Sequence, residues 1–307
     1  MDAKKYFPRR QLKEEGKQSL SGHWGKAIVI LIIGALVGGL PFFFTGMMQV
    51  PSMQYDEMTM NMTATTSSLE PQVVLLTIII SLLGALLTAA YMMASSKWYL
   101  DLVQRNENTS IGDFFGHFRL AGKGILAYLW MSLWLFIWML IPMAIAAGLF
   151  IGGGVVGYAS NDSSAPSFIL VVLGLIAFIA YMVIAVWKSY SYGQIFNVIA
   201  DNPETGVREA MRHSIAMTKD YILDLFVLDL SFILWGLMVI VTLGIGILYV
   251  GPYMSATSAM AYFFLRDQAL DRGILSPAQF KLERRAAEEP VITEVREERE
   301  EDQQIIE

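Results

Sequence analysis

The chain contains no cysteine, and few of its 307 residues are charged. Without cysteine it can hold neither a disulfide framework nor a thiolate metal site, and it has no cysteine nucleophile. Charged residues make up 16% and hydrophobic residues 55% of the sequence, whereas soluble domains have about 25% and about 45–50%. The apolar excess lies in blocks of about 20 residues or more, which are typical of membrane-spanning helices.

Patterns that mark an active site are also missing. The glycine run 152–154 has no lysine nearby, so it does not match a phosphate-binding loop. His23, His117 and His213 lie in the basic segments that precede the first, third and last apolar blocks, and no serine–histidine–aspartate set is indicated there. They are either interfacial anchors or, if pseudo-symmetry gathers them, a ring of metal ligands. We therefore expect a protein without enzymatic activity and without a cofactor.

The apolar blocks predict the number of membrane spans. The last run, 221–265, would be about 67 Å long as one helix, far more than a hydrocarbon core of about 30 Å. We therefore expect a break at the glycines, with Gly244 and Gly246 forming the hinge of a final hairpin. The predicted fold is all-α, a polytopic membrane protein with cytoplasmic interfacial helices. Its six spans cover about 27–48, 73–94, 124–151, 168–187, 221–243 and 247–265.

Lysine and arginine all lie on one side of these spans. The 22 residues of these types are found before residue 27, in loops 95–123 and 188–220, or after residue 265. The other loops contain none. Under the positive-inside rule we expect both termini to lie in the cytoplasm.

The acidic excess belongs to the C-terminal tail. The formal net charge is −6, and residues 283–307 alone contain ten acidic and four basic side chains. Such a tail argues against nucleic acid as a partner, and we expect it to be largely disordered and able to dock a cytoplasmic protein. The predicted organisation is a cytoplasmic amphipathic segment 1–26, a membrane domain 27–265 and a cytoplasmic tail 266–307.

A lysine precedes or opens each odd-numbered span. Lys26, Lys123 and Lys219 are spaced 97 and 96 residues apart, and each follows a partly amphipathic stretch. One interpretation is three parallel repeats, each an interfacial helix followed by a two-span hairpin. The alternative is that interfacial segments look alike because each ends in a lysine that reaches the headgroups. Membrane lipids with anionic headgroups are the expected partners of these segments.

The last third of the chain also shows a family resemblance. The residues that carry it are Glu209-Ala210, Ser214, Met217, Lys219, Leu230-Ser231-Phe232, Trp235, Thr242, Gly244-Ile245-Gly246, Pro252-Tyr253, Thr257 and Tyr262-Phe263. With them the sequence resembles a bacterial family of integral membrane proteins catalogued as domain of unknown function 975, over most of residues 9–265. Leu234 departs from the pattern, since the family more often has glycine before the tryptophan. The resemblance implies a six-span bacterial membrane protein and no particular activity.

Asp229 is the strongest candidate for a functional residue. It lies about eight residues into span five, roughly 12 Å along the helix axis, where an ionisable side chain is costly and by default suggests function. No lysine or arginine lies comparably deep. The functional hypothesis is a site coupled to a proton or cation, with Asp224 as a second carboxylate. The structural hypothesis is a carboxyl that caps a helix or reaches Lys188. The expected hydrogen-bond donors are Ser231, Ser255, Thr257, Ser258, Tyr91 and Tyr181.

The loop between the first two spans is rich in methionine. Met58, Met60 and Met62 alternate there, and thioether sulfurs are soft ligands for Cu(I). The whole chain has 18 methionines, however, and methionine is also an adaptable filler at a membrane interface. We expect no metal site and regard these three residues as weak candidates.

Two functions fit these features. Our main expectation is a structural or assembly component of the membrane that interacts with lipids or proteins through its basic interfacial segments. The alternative is a transporter or channel for a small solute or ion that uses Asp229, supported by Pro142 and by the glycine and proline residues of the last span. A polar cavity that Asp229 reaches would favour the alternative.

Overall fold

The described part of the protein is almost entirely helical. The computed structural model describes residues 6–48, 52–56, 61–65, 71–105, 109–160 and 165–280. Apolar runs form helices because a segment that crosses hydrocarbon must satisfy its backbone hydrogen bonds internally. The helices are α1 (Arg9–Ser19), α2 (Trp24–Met48), α3 (Pro71–Arg105), α4 (Ile111–Gly116), α5 (Ala121–Ser160), α6 (Ala165–Tyr192), α7 (Ile195–Asp201), α8 (Val207–Thr218), α9 (Ile222–Leu230), α10 (Ile233–Val241) and α11 (Ile247–Asp271), with 3-10 helices at His117–Leu120 and Pro277–Phe280.

Five helical segments in this part of the chain are long and apolar enough to cross a membrane. They are Trp24–Met47, Pro71–Gln104, Ile111–Tyr158, Ser167–Asp201 and Ile222–Val241. This confirms the prediction of a helical fold with several candidate spans, and it is compatible with a multi-pass membrane protein. The sixth predicted span corresponds to α11, which is not among the five because polar residues interrupt its apolar character. Six spans and three repeats therefore stay predictions.

The loop between α2 and α3 contains a small hairpin that the sequence did not predict. Strands β1 (Ser52–Asp56) and β2 (Asn61–Thr65) pair antiparallel. Met62 lies in β2, whereas Met58 and Met60 lie outside the described residues, so the hypothesis of a copper site in this loop stays untested.

The predicted fifth span is broken into two helices. α9 ends at Leu230 and α10 begins at Ile233, although neither proline nor glycine occupies the intervening Ser231-Phe232. A contact from α1 stabilises the break, since Lys13 Nζ lies 3.1 Å from Ser231 Oγ and 3.4 Å from the Ser231 carbonyl oxygen. Such a cation is favourable at the C-terminal end of a helix, where the carbonyl groups are unpaired.

A tight turn at Thr242–Gly246 joins α10 to α11. Leu243 and Gly244 have φ angles of +51° and +94°, in the left-handed region that favours glycine. The Gly246 N–H donates to Thr242 Oγ1 at 2.8 Å, which closes the turn. Both predicted hinge glycines therefore lie within the connection between these two helices.

Contacts between the helices follow a cyclic order. Each short helix packs on the helix that ends the previous hairpin, so α4 contacts α3 and α8 contacts α6 and α7. α1, which has no previous hairpin, contacts α11 at the far end of the chain. The long helices repeat this order, with α3 against α5, α6 against α9 and α11 against α2. The first and last parts of the chain thus close a ring.

The packed core lies at the end of the bundle where α2 and α5 begin and α3 ends, which we call the basic end. Large side chains that are fully buried there come from several elements: Trp98, Phe114, Tyr221, Tyr262 and Phe280. The surfaces of α2, α5 and α6 away from this end instead expose many large apolar side chains, as lipid-facing helices do.

Ordered structure continues past the predicted end of the membrane domain. α11 extends to Asp271, and both Leu275 and Phe280 are buried. The Phe280 ring lies 5.9 Å from the ring of His213, which ties this segment to α8. The segment predicted as a disordered tail from residue 266 therefore begins with ordered residues. Residues 281–307, with the predicted docking role, lie outside the described residues.

Candidate functional site

Asp229 lies in the last turn of α9, next to the break in the fifth span. Its Oδ2 accepts a hydrogen bond of 2.6 Å from the hydroxyl group of Tyr190 on α6. Apolar neighbours in α9, including Leu225 and Leu228, are buried and fix the face that this helix turns to the bundle. The carboxylate is therefore oriented by a hydroxyl donor from a different helix.

A cleft opens on both sides of this carboxylate. One cavity of about 220 Å³ and another of about 320 Å³ share Gly193, Asp229, Met254 and Ser258 in their walls. Oxygen- and nitrogen-bearing side chains from three further helices line the cleft: Ser95, Ser96 and Tyr99 of α3, Asn197 of α7, and Ser255, Thr257 and Ser258 of α11. The cleft thus offers hydroxyl and amide groups around one carboxylate.

Asp229 has no cationic partner among the described residues. No lysine or arginine nitrogen there lies within ion-pair distance of its carboxylate, although several other carboxylates have such a partner. Lys188, the interfacial cation that could have reached it, instead places Nζ 3.8 Å from the ring centre of Trp138. An ion pair with Lys188 is thus absent, which removes one form of the structural hypothesis.

Asp224 has a different environment. Its Oδ1 lies 2.9 Å from Arg9 Nη2, so this carboxylate forms an ion pair that ties α1 to α9. A partly buried pair of this kind has a structural use. Of the two predicted carboxylates, Asp229 alone faces the polar cleft.

The predicted hydrogen-bond donors are only partly found at Asp229. Ser255, Thr257 and Ser258 line the cleft, but Ser231 contacts Lys13, and the Tyr181 hydroxyl group faces the sulfur of Met139 at 3.8 Å. The donor that bonds Asp229 is Tyr190, which lies 39 residues away in sequence. The sequence contained one indication of this donor, which is that a tyrosine lies near the inner end of the predicted fourth span.

The repeat-related lysines occupy similar places in the chain but make different contacts. Lys26 and Lys123 are the third residues of α2 and α5, and Lys219 directly follows α8. Lys123 Nζ donates to the carbonyl oxygens of Pro203 and Thr205, which joins α5 to the loop before α8. Lys219 is exposed and Lys26 is half-buried.

The structure contains two buried ionic clusters near the cleft that the sequence analysis did not predict. Asp201 of α7 bonds Arg266 and the Tyr262 hydroxyl group of α11, at 3.1 Å and 3.0 Å. On α3, Asp101 lies 2.8 Å from Lys97 and 3.3 Å from the His117 ring. Both clusters link α3, α7 and α11 to their neighbours at the basic end and so support the helices that line the cleft. No three-residue cluster of metal-ligating type occurs in the described ranges.

A comparison with known families decides the identity of the chain. A family model described as "Protein of unknown function (DUF975)" matches residues 3–269. The chain belongs to the DUF975 family. No curated protein and no solved structure matches it. The family membership predicted from the last third of the sequence is thus confirmed across almost the whole helical part of this DUF975 protein.

Ser214, one of the residues that carry the DUF975 resemblance, has a structural use next to the cleft. The buried Ser214 hydroxyl group donates to the Ser191 carbonyl at 2.8 Å and accepts from the Gln194 N–H at 3.2 Å. These bonds satisfy backbone groups freed where the chain turns between α6 and α7. Because Tyr190 and Gly193 flank that turn, Ser214 helps to position one wall of the cleft.

Proposed function

We propose that this protein transports a small solute or ion across the membrane, with Asp229 accepting a proton or a small monovalent cation. The observation that supports this most is the cleft itself, in which a carboxylate of the candidate span Ile222–Val241, without a cationic partner in the described chain, faces hydroxyl and amide groups. An isolated carboxylate at membrane depth is costly, and such residues mark ion and proton pathways.

The chemistry of the lining favours a hard cation or a proton. Small alkali cations prefer oxygen ligands, which a carboxylate, the Tyr190 hydroxyl group and the serine hydroxyl groups supply. The break after α9 also lies directly beside Asp229, at Ser231-Phe232. Broken helices with their ends at an ion site recur in secondary transporters.

The proposal includes the predicted topology. α11 serves as the sixth span, and both termini lie in the cytoplasm of a bacterial cell, as the distribution of lysine and arginine favours. The cyclic contacts of α1, α4 and α8 support three repeats, each a short helix followed by a hairpin. A reporter fused after residue 280 should then be inaccessible to protease added outside the cell, and cleavage there would contradict this orientation.

A structural role in binding lipids is the second candidate, and one observation favours it. A basic groove lined by tryptophan lies between α5 and α8, apart from Asp229. The two roles differ in what they require, because transport needs the carboxylate and lipid binding does not.

Ion flux measured in proteoliposomes tests the transport proposal. With a dye selective for H⁺, Na⁺ or K⁺ inside the vesicles and an imposed potential, the wild-type protein should carry one of these ions, and Asp229→Asn should abolish this flux. Asp224→Asn is the matched control, since it changes the same group five residues away on the same helix, and it should retain most of the flux. Wild-type flux from a folded Asp229→Asn protein, or no flux of these ions by the wild type, would reject the proposal.

A further inference from the structure

A row of three tryptophans lies along one face of α5. Trp130, Trp134 and Trp138 are spaced four residues apart, so their side chains follow one another on the helix surface over about 12 Å. They form one wall of a groove of about 430 Å³, whose other wall is contributed by α8 and the end of α6. Met211 and Ile215 of α8 continue the apolar lining.

Three cations surround this apolar groove. Lys188 Nζ lies 3.8 Å from the ring centre of Trp138, and Arg208 Cζ lies 4.9 Å from that of Trp130. Arg212, one turn after Arg208 on α8, also lines the groove. Positive charge is therefore present at both ends of the tryptophan row.

No carboxylate neutralises these cations in the part of the chain that the structure describes. Other basic residues there have acidic partners, for example Arg9 with Asp224 and Arg272 with Asp220. Lys188, Arg208 and Arg212 form no such ion pair with any described residue. Three unneutralised charges around one groove favour an anionic occupant.

The apolar lining decides what kind of anion fits. A soluble phosphate would use the cations and leave the tryptophan rings and Met211 in contact with water. An amphiphile uses both parts of the groove, with its acyl chain on the rings and its phosphate between the arginines. Basic pockets between membrane helices bind acidic lipid headgroups in this manner, and arginine suits phosphate because its guanidinium can donate two parallel hydrogen bonds.

We propose that the groove between α5 and α8 is a binding site for one anionic phospholipid. Arg208 and Arg212 bind the phosphate at the Trp130 end of the groove, and the tryptophan row contacts the acyl chain. This site is separate from the Asp229 cleft and does not depend on the transport proposal.

Native mass spectrometry of the full-length protein in detergent tests the site, with phosphatidylglycerol and phosphatidylcholine as probes. The wild type should bind phosphatidylglycerol in preference to phosphatidylcholine. Arg208→Gln/Arg212→Gln should weaken that binding about 30-fold, because each cation near an acidic lipid contributes enough for about fivefold. Lys17→Gln/Arg119→Gln removes the same charge from exposed positions that line neither this groove nor the cavity beside it, and should bind as the wild type does.

Further measurements separate the alternatives. Inorganic phosphate at millimolar concentration should not displace the bound lipid, whereas displacement would assign the site to a soluble anion. Arg212→Gln provides an independent single variant if the double substitution unfolds the protein, as judged by thermal melting, and it should weaken the binding about fivefold. Equal affinity for the two lipids, or wild-type binding by the folded groove variants, would overturn the proposal.

Discussion

The hydroxyl group of Tyr190 determines how Asp229 is presented to the cleft. A hydrogen bond to an ionised carboxylate contributes about 1.5–3 kcal/mol, which corresponds to about ten- to a hundredfold in affinity for a cation that needs the carboxylate in this orientation. Tyr190→Phe should therefore raise the Na⁺ or K⁺ concentration at half-maximal flux by about that factor. Tyr181→Phe is the control on the same helix, because its hydroxyl group faces only a methionine sulfur, and it should leave the flux unchanged. An unchanged concentration dependence in Tyr190→Phe would show that this bond has no part in ion binding.

The buried histidine His213 makes the stability of the folded protein depend on pH. His213 is 5% exposed on α8, near Phe280, with Glu209 and Arg212 as the charged groups closest to it in sequence. Burial lowers the pKa of the His213 ring, which Glu209 opposes only in part. As the pH falls, the His213 ring therefore takes up a proton in the unfolded chain before it does so in the folded chain. The contribution of the neutral, buried ring to the free energy of unfolding is thus present above about pH 6.5 and is lost below it.

The thermal midpoint in detergent measures this effect. The wild-type midpoint should fall between pH 7.5 and pH 5.5, and the fall should be smaller in His213→Asn, which does not titrate. His23→Asn, at a more exposed histidine, should retain the wild-type fall. Equal pH dependence in the wild type and His213→Asn would contradict the assignment.

At the scale of elements, α1 stabilises the break in the fifth span. Lys13 contacts the Ser231 carbonyl at the end of α9, and its Nζ also lies 4.1 Å from the ring centre of Phe232. We expect Lys13→Met to destabilise the folded segment around the break by about 1 kcal/mol, because the charge at the end of α9 and the cation–π contact are both lost. Amide hydrogens of residues 229–236 should then exchange faster with deuterium. Lys17→Met, an exposed position on the same helix, should leave this exchange unchanged, and equal exchange in both variants would exclude the role of Lys13.

The same element shows what the sequence could and could not predict. Apolar runs are sufficient to predict long helices, because hydrocarbon leaves the backbone no other solution. The break at Ser231-Phe232 has no glycine or proline to mark it, and the side chain that contacts it, Lys13, lies more than 200 residues earlier. Asp229 was predictable as an ionisable residue at depth. Its partner Tyr190 and the ion pair of Asp201 with Arg266 were not, because tertiary packing brings these residues together.

At the scale of the whole molecule, the cyclic contacts join the first and last thirds of the chain. α1 packs closely on α11, since a Cβ atom on Gly16 would lie 2.9 Å from the backbone nitrogen of Thr257. Thr257 also lines the Asp229 cleft, so closure of the ring forms part of the proposed site. The ion pair of Arg9 with Asp224 extends the contact from α1 to α9.

Because the chain contains no cysteine, a pair of introduced cysteines can test whether α1 closes the ring of helices. In Arg9→Cys/Asp224→Cys the two thiols replace side chains that are in contact at 2.9 Å, and a short bifunctional maleimide should join them within one chain. A protease site introduced after residue 161 should then leave the two fragments linked on a denaturing gel. Each single-cysteine variant should separate into two fragments, because no second thiol is present. Separation of the doubly substituted chain, or links found only between two chains, would show that the N-terminal helix does not close the ring in the membrane.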